Sequence, residues 1–282
     1  MTTLDRRLFV GAALAAAIAV PSLALAQDVQ YVSASGKKYT SQVDEKGVVA
    51  EAQKKLDSDP KNVDLLIALG DAYATVWNHK AALAVYDKAF ALAPGKPLLY
   101  QQRGHRYLSI REFAKARPDL EQAVKLDEKL ASAWYNLGVL RYAEGNFVGA
   151  AAAFEKNVAL AERLETGIGG VDWQYMSLRR AKKDKEAAAL LERVTPDLKI
   201  EGSSRLYFNR LLFYKGLKTE AELFANKLDD IQTTTLSYGV GNFHLYNGRP
   251  AEAKRYFEKA VGTTAWPALA FIVGEADLKR MK

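Results

Sequence analysis

Ala131-Ser132-Ala133-Trp134-Tyr135-Asn136-Leu137-Gly138, continued through Tyr142, Gly145-Asn146-Phe147, Ala150 and Phe154, is the stretch whose reading decides the fold. Its small residues recur at a fixed interval. Gly70, Gly104 and Gly138 stand 34 residues apart, Ala82, Ala116 and Ala150 keep that interval, and Pro60 and Pro94 add one more pair. A period of this size is the signature of stacked helical hairpins, with small side chains where paired helices cross and larger apolar ones between the pairs. Such an array is more often a binding surface than a catalytic machine.

These residues resemble the tetratricopeptide repeat family. The resemblance implies an all-α fold: a right-handed superhelical solenoid of antiparallel helix pairs. Residues 131–164 carry the pattern best, with Arg141 where a tyrosine is usual and Asn157 where a small residue is usual. Residues 63–96 keep Leu66, Leu69, Gly70, Tyr73, Ala82, Tyr86, Ala89 and Pro94. Residues 97–130 keep Tyr100, Gly104, Tyr107, Ala116, Leu120 and Ala123, with Arg103 in place of a leucine. Pro118 falls inside the second helix of that unit, where it should kink the axis or cost ~3 kcal/mol. The pattern then decays. Residues 168–201 keep Ala187, Leu191 and Val194 but put Tyr175 at the glycine position; 202–230 keep Gly216, Ala221 and Leu228; 234–262 recover Gly241, Gly248, Ala253, Phe257 and Ala260.

The solenoid is expected over 43–282. Val48 to Pro60 reads as the second helix of a half-unit. Trp266-Pro267 is expected to open a terminal helix within a cap over 265–281, with Glu275, Asp277, Lys279 and Arg280 on a charged outer face. No strand signal of length is visible.

The first 26 residues read as an export signal. Arg6-Arg7 precede an apolar, Ala-rich run from Leu8 to Val20; Pro21-Ser22 break it, and Ala24-Leu25-Ala26 offers a small-residue cleavage site. Cleavage between Ala26 and Gln27 removes Asp5, Arg6 and Arg7 and takes the net charge from +7 to +6. Asp5-Arg6-Arg7-Leu8-Phe9-Val10 resembles the twin-arginine signal, with Asp5 where Ser or Thr is usual. The general export route and an uncleaved anchor over Leu8–Ala26 are the rival readings. All three place the body of the protein outside a bacterial cytoplasm, in the periplasm or secreted. Residues 27–42 read as a flexible lead-in, and its Ser35-x-x-Lys38 spacing as chance in a polar linker.

Composition sets limits. The chain has 282 residues and no cysteine, so disulfides, thiolate catalysis and Cys-ligated zinc are excluded. Lys and Arg are interspersed with Asp and Glu, which reads as solvated helix faces; no nucleic-acid partner is expected. His79, His105 and His244 lack metal-ligand spacing, so no metal or cofactor is expected. His79 is placed at a solvated turn, His105 beside the groove and His244 at a hairpin crossing. Gly167-Ile168-Gly169-Gly170 has neither a preceding strand nor a following Lys-Ser or Lys-Thr, and reads as a helix-to-helix linker. An enzyme, with a divergent pocket around 167–175, is the weakest of the three functional classes.

In this family the first helix of each unit lines the concave face. Helical phase then picks out Gln101, His105, Tyr135, Asn136, Tyr142, Trp173, Arg180, Tyr207, Arg210, Tyr214, Tyr238, Asn242 and Tyr246 as groove residues. The first unit offers only Ile67, Ala68 and Asp71. Tyr, Trp and Arg give large contact area with polar tips, which suits an extended peptide or a partner helix. Each tyrosine also has a core reading, because tyrosine packs between hairpins in such repeats. Only Asn136 falls on the family's two-carboxylate clamp pattern, with Gln101 where a lysine is required, so the clamp is not expected. The implied function is a non-enzymatic adaptor holding a protein or peptide, with a carbohydrate or cell-wall polymer, stacked on Trp173 and the tyrosines, as the alternative.

Overall fold

A computed structural model describes residues 28–282. The expected export signal and its expected cleavage site at Ala26 and Gln27 lie outside the described residues. Six helix pairs follow one another: α2 (Val63–Thr75) with α3 (His79–Leu92), α4 (Pro97–Ser109) with α5 (Phe113–Leu126), α6 (Ala131–Ala143) with α7 (Phe147–Ala159), α8 (Leu164–Arg180) with α9 (Asp184–Glu192), α10 (Ser204–Tyr214) with α11 (Glu220–Leu223), and α12 (Asp230–Tyr246) with α13 (Pro250–Val261). The half-unit helix α1 (Val48–Ser58) precedes them and α14 (Leu269–Arg280) follows. Most consecutive helices pack on one another, and past α9 and α11 the stack is carried by α8 on α10 and α10 on α12, which makes it a helical-hairpin solenoid.

Two local devices repeat. A glycine on each well-formed first helix faces a large side chain sixteen residues on. A Cβ added at Gly104 would lie 2.8 Å from Leu120, at Gly138 2.8 Å from Phe154, and at Gly241 2.8 Å from Phe257. The missing side chain lets the paired helices approach, and the facing residue fills the notch. The second device is a left-handed residue closing each first helix: Trp77 (φ 60°), Arg111 (64°), Gly145 (83°), Lys182 (59°), Gly216 (78°) and Gly248 (75°). Each reverses the chain into its second helix. Three are not glycine and carry the Cβ cost of that conformation.

Several expectations need correction. Residues 27–42 are not a flexible lead-in over their described part: β1 (Val29–Val32) pairs antiparallel with β2 (Lys38–Thr40). This hairpin docks on the first unit, where Gln30 Oε1 accepts from the Lys80 amide at 2.9 Å and Asn78 Oδ1 accepts from Gln30 Nε2 at 3.2 Å. Gly167, Gly169 and Gly170 are not a linker but lie inside α8, whose start is four residues ahead of the expected unit. The sixth unit likewise begins at Asp230, capped by Asp229. Ala221 is exposed in a one-turn helix, while Ala82, Ala116, Ala150, Ala187 and Ala253 are fully buried at their crossings. Pro118 sits within α5, which runs continuously through it. Trp266-Pro267 precedes the terminal helix, which opens at Leu269 behind Ala268.

The largest departure is the terminal helix itself. It packs on α12 and α13 where a seventh unit would begin, but it also meets α6. Of its expected outer charges Lys279 and Arg280 are exposed, but Glu275 and Asp277 are held against the protein. Glu275 pairs with Arg111 at 2.7 Å, Asp277 is 1% exposed, and Arg280 Nη1 donates to the Ala143 carbonyl at 2.7 Å. Trp266 packs edge-on against Trp77, with ring centroids 6.2 Å apart. Trp77 and Arg111 are the left-handed turn residues of units one and two, and Ala143 closes the first helix of unit three. The C-terminal segment therefore crosses back over three successive turns and closes the solenoid on itself. The β-hairpin completes the closure: Tyr31, Tyr39, Trp77, His79, Trp266 and Phe271 form one aromatic cluster.

Candidate functional site

The groove residues fall into three places. The first is an interior cluster on the facing first helices of units three, four and six. Arg180 of α8 pairs with Asp277, donating from Nη2 to Oδ1 at 2.9 Å and from Nη1 to Oδ2 at 3.2 Å. Tyr238 of α12 donates its hydroxyl to Oδ2 at 2.8 Å. Asn242 accepts from Arg180 at 3.1 Å and donates to the Tyr142 hydroxyl at 2.7 Å. Arg280 adds a bond to Oδ1 at 2.8 Å. Burial works to raise the Asp277 carboxyl, but Arg180 and Arg280 hold it below the ordinary carboxylate range. Four residues assigned to the groove thus meet on a carboxylate of this chain's own terminal helix instead of facing a hollow, and Tyr142, Tyr238 and Asn242 are wholly buried.

The second place is the core proper. Trp173 is 1% exposed, stacked between Phe154 at 5.8 Å and Tyr238 at 5.9 Å. Arg210 is wholly buried and pairs with the equally buried Asp172 at 2.9 Å. Arg210 also donates to the Tyr214 hydroxyl at 3.1 Å and the Thr235 carbonyl at 3.1 Å. Burial pushes the Asp172 carboxyl up to about 7 against the pull of Arg210. Tyr214 stacks on Tyr175 at 5.0 Å, and Arg179 lies over the Tyr246 ring at 4.3 Å. Gln101 and Asn136 are buried as well. For Gln101, Asn136, Trp173, Arg210 and Tyr214 the groove assignment is corrected: all are buried, and from unit three to unit six the first helices close on one another, so inward side chains there meet each other rather than a hollow.

His105 is half-buried beside Arg106, with Nδ1 hydrogen-bonded to the Arg106 guanidinium. His79 is not solvated. It is 2% exposed at the start of α3, its ring edge-on to Trp266 at 5.3 Å, and neither ring nitrogen has a hydrogen-bond partner. Burial first, then Arg106 and Arg111, push its pKa down to about 2. His244 packs against Tyr256 at 5.5 Å, with Nε2 3.3 Å from Glu220.

The third place is open. Tyr135 and Tyr207, half-buried and with hydroxyls hydrogen-bonded to each other, wall a cleft of about 410 Å³. It lies at the starts of α6, α8 and α10, with Gly167, Gly169 and Gly170 lining one side and Asn157 and Thr166 supplying polar atoms. A Cβ added at Gly169 would reach only to 3.6 Å from Tyr207, an ordinary contact, so that glycine keeps the cleft wide rather than letting helices touch. Asn157, the residue that breaks the small-residue pattern late in α7, ties this edge together by donating to the Ala131 carbonyl at 2.9 Å.

The sequence reading missed Asp172 and Arg111, and it placed Asp277 and Glu275 on an outer face. Two of them left a signal. Asp172 stands four residues from Ile168 and from Met176, and Asp277 four from Val273, so both carboxylates sit on the apolar stripe of their helix. An acid at such a position needs a buried cation, and each has one. Arg111 and Glu275 are 164 residues apart, and nothing local links them.

Tetratricopeptide-repeat family models match residues 102–162 and 235–264. Among curated proteins, the chain is 30% identical over 136 residues to a heat-shock protein cognate co-chaperone, sgt12, of Aspergillus fumigatus, covering 48% of this chain and 38% of that protein. It is 33% identical over 104 residues to the Hsp70-Hsp90 organizing protein of Triticum aestivum, covering 36% of this chain and 18% of that one. The chain thus spans well under half the length of these relatives. Among solved structures, a tetratricopeptide repeat protein from Parabacteroides merdae aligns with a TM-score of 0.51 at 17% identity, over 80% of this chain and 89% of that one. That likeness bears on the fold alone.

Proposed function

We propose that this chain, which carries tetratricopeptide repeats at residues 102–162 and 235–264, is a non-enzymatic adaptor of the bacterial periplasm that holds a segment of a partner protein. The observation carrying the reading is the open cleft between Tyr135 and Tyr207. It is built from the starts of three successive first helices, and its walls are two of the residues that helical phase assigns to binding. Two tyrosines with polar tips and a glycine side that admits close backbone approach suit an extended peptide. The co-chaperone and organizing-protein names of the relatives accord with a role in holding other proteins. The export signal in the first 26 residues supports the periplasm, and service in envelope assembly belongs to the same reading.

The test is Gly169→Leu. Its Cβ makes only ordinary contacts, and the longer side chain then fills the cleft between the tyrosines. Leucine also favours a helix over glycine by ~1 kcal/mol, so stability should hold or rise. A photo-crosslinker at Tyr207 in the native host should capture a defined partner in the wild type and lose it in Gly169→Leu. Undiminished capture would refute the site. The carbohydrate alternative retains only Tyr135 and Tyr207, because Trp173 is buried. Salt-insensitive retention of the purified chain on cell-wall sacculi, lost in Gly169→Leu, would favour it over the adaptor.

A further inference from the structure

The terminal helix α14 is held in two ways along its length. Its first half is an apolar anchor: Ala270, Phe271, Ile272 and Val273 are all buried. From Glu275 onward the fully buried side chain is Asp277, while Ala276, Leu278 and Met281 are partly exposed and Lys279, Arg280 and Lys282 exposed. This second half is held by charges and by partial packing of Ala276, Leu278 and Met281 on the core. Arg111 donates to Glu275 from Nε at 2.9 Å and Nη2 at 2.7 Å, and Asp277 sits in the cradle of Arg180 and Tyr238 with Arg280 beside it. Releasing the last two turns breaks these ionic contacts and the partial packing of Ala276, Leu278 and Met281, but leaves the fully buried apolar anchor in place. It also bares Arg180, Tyr238, Asn242 and Tyr142.

These four side chains come from units three, four and six and do not depend on α14 for their arrangement: Asn242 bridges Arg180 and Tyr142, and Tyr142 and Tyr238 pack on Trp173. A guanidinium whose two nitrogens bind one carboxylate, with a tyrosine hydroxyl on the same oxygen pair, is a preorganised acid receptor. We propose that Arg180 and Tyr238 form a carboxylate-binding site for an acidic segment of a partner protein, and that the last two turns of α14 occupy it as an ionic latch. The proposal rests on the adaptor reading and adds the partner's chemistry and its control: a short segment presenting Asp or Glu where Asp277 now lies, competing with the chain's own tail. The latch lowers apparent affinity by the fraction of chains that are open.

Glu275→Gln weakens the latch without touching the cradle. A fluorescent peptide of residues 274–282, titrated into the full-length chain, should bind the Glu275→Gln variant about tenfold more tightly than the wild type. The same peptide with Asp277→Asn should bind that variant at least tenfold more weakly. Amide exchange at 276–279 should quicken about tenfold in Glu275→Gln, with 271–273 unchanged. Equal affinity for wild type and variant, indifference to Asp277→Asn, or exchange at 276–279 that stays as slow as in α12 would each overturn the proposal. So would a concentration-dependent dimer of Glu275→Gln with exchanged tails, which makes a second copy the occupant. The titration needs no natural partner, so it can fail while capture at Tyr207 succeeds, and the reverse.

Discussion

Burial of His79 should cost this fold stability as pH falls below 6.5, and a single substitution tests it. Its ring is buried beneath Trp266, both nitrogens lack partners, and His105, Arg106 and Arg111 face it with no carboxylate in compensation. Its folded pKa, pushed down to about 2, lies below the ordinary 6.5. The unfolded chain therefore binds a proton that the folded chain refuses. Stability is whole above pH 6.5 and falls as pH drops below it, until the folded pKa is reached. Between pH 7.5 and 5.0 that amounts to ~2 kcal/mol, at 1.36 kcal/mol per pH unit below 6.5. Burial lowers the pKa of His105 in the same direction, the raised Asp172 carboxyl works the other way, and both act alike in the wild type and in a His79 variant. His79→Phe keeps the ring against Trp266 and removes the titration. Urea unfolding at pH 7.5 and 5.0 should show the change in stability across the interval to be ~2 kcal/mol less favourable in the wild type than in His79→Phe. Equal losses in the two proteins would refute the burial argument.

Other outcomes follow from single contacts. Lys182→Gly should raise stability by ~0.5–1 kcal/mol, since Lys182 is exposed at φ 59° and glycine removes the left-handed Cβ cost, less its own unfolded-state entropy; thermal unfolding reads it. Gly138→Ala puts a Cβ 2.8 Å from the Phe154 ring and should cost ~1–3 kcal/mol. Arg210→Met leaves the Asp172 carboxyl buried without its cation and should cost ~3–5 kcal/mol at neutral pH, whereas adding Asp172→Leu should recover most of the loss. Replacing Arg6 and Arg7 by lysine should leave the protein in the cytoplasm if the twin-arginine reading holds, as fractionation of the host would show.

The sequence by itself determined the local order of this protein. Glycine at one fixed phase admits the close approach of paired helices, and alanine at another marks their crossing. Both are properties of neighbours within some twenty residues, so a linear pattern records them. The inward faces were legible too: Tyr142, Arg180, Tyr238 and Asn242 meet around one carboxylate, and Tyr135 with Tyr207 wall a cleft. Only the tertiary structure decided how tightly the stack curls. That depends on small rotations between units summed over the whole array, and on what meets when its ends come together. Trp266 against Trp77, Glu275 against Arg111 and Arg280 against Ala143 join residues more than 130 apart. Such contacts turn an expected outward charged cap into an inward clasp, order the hairpin at Val29–Thr40, and fill most of the expected hollow with the chain's own side chains. Helical periodicity says which face of a helix is turned inward; whether water, a partner or another helix awaits it there is set by long-range closure, which leaves no mark at any local spacing.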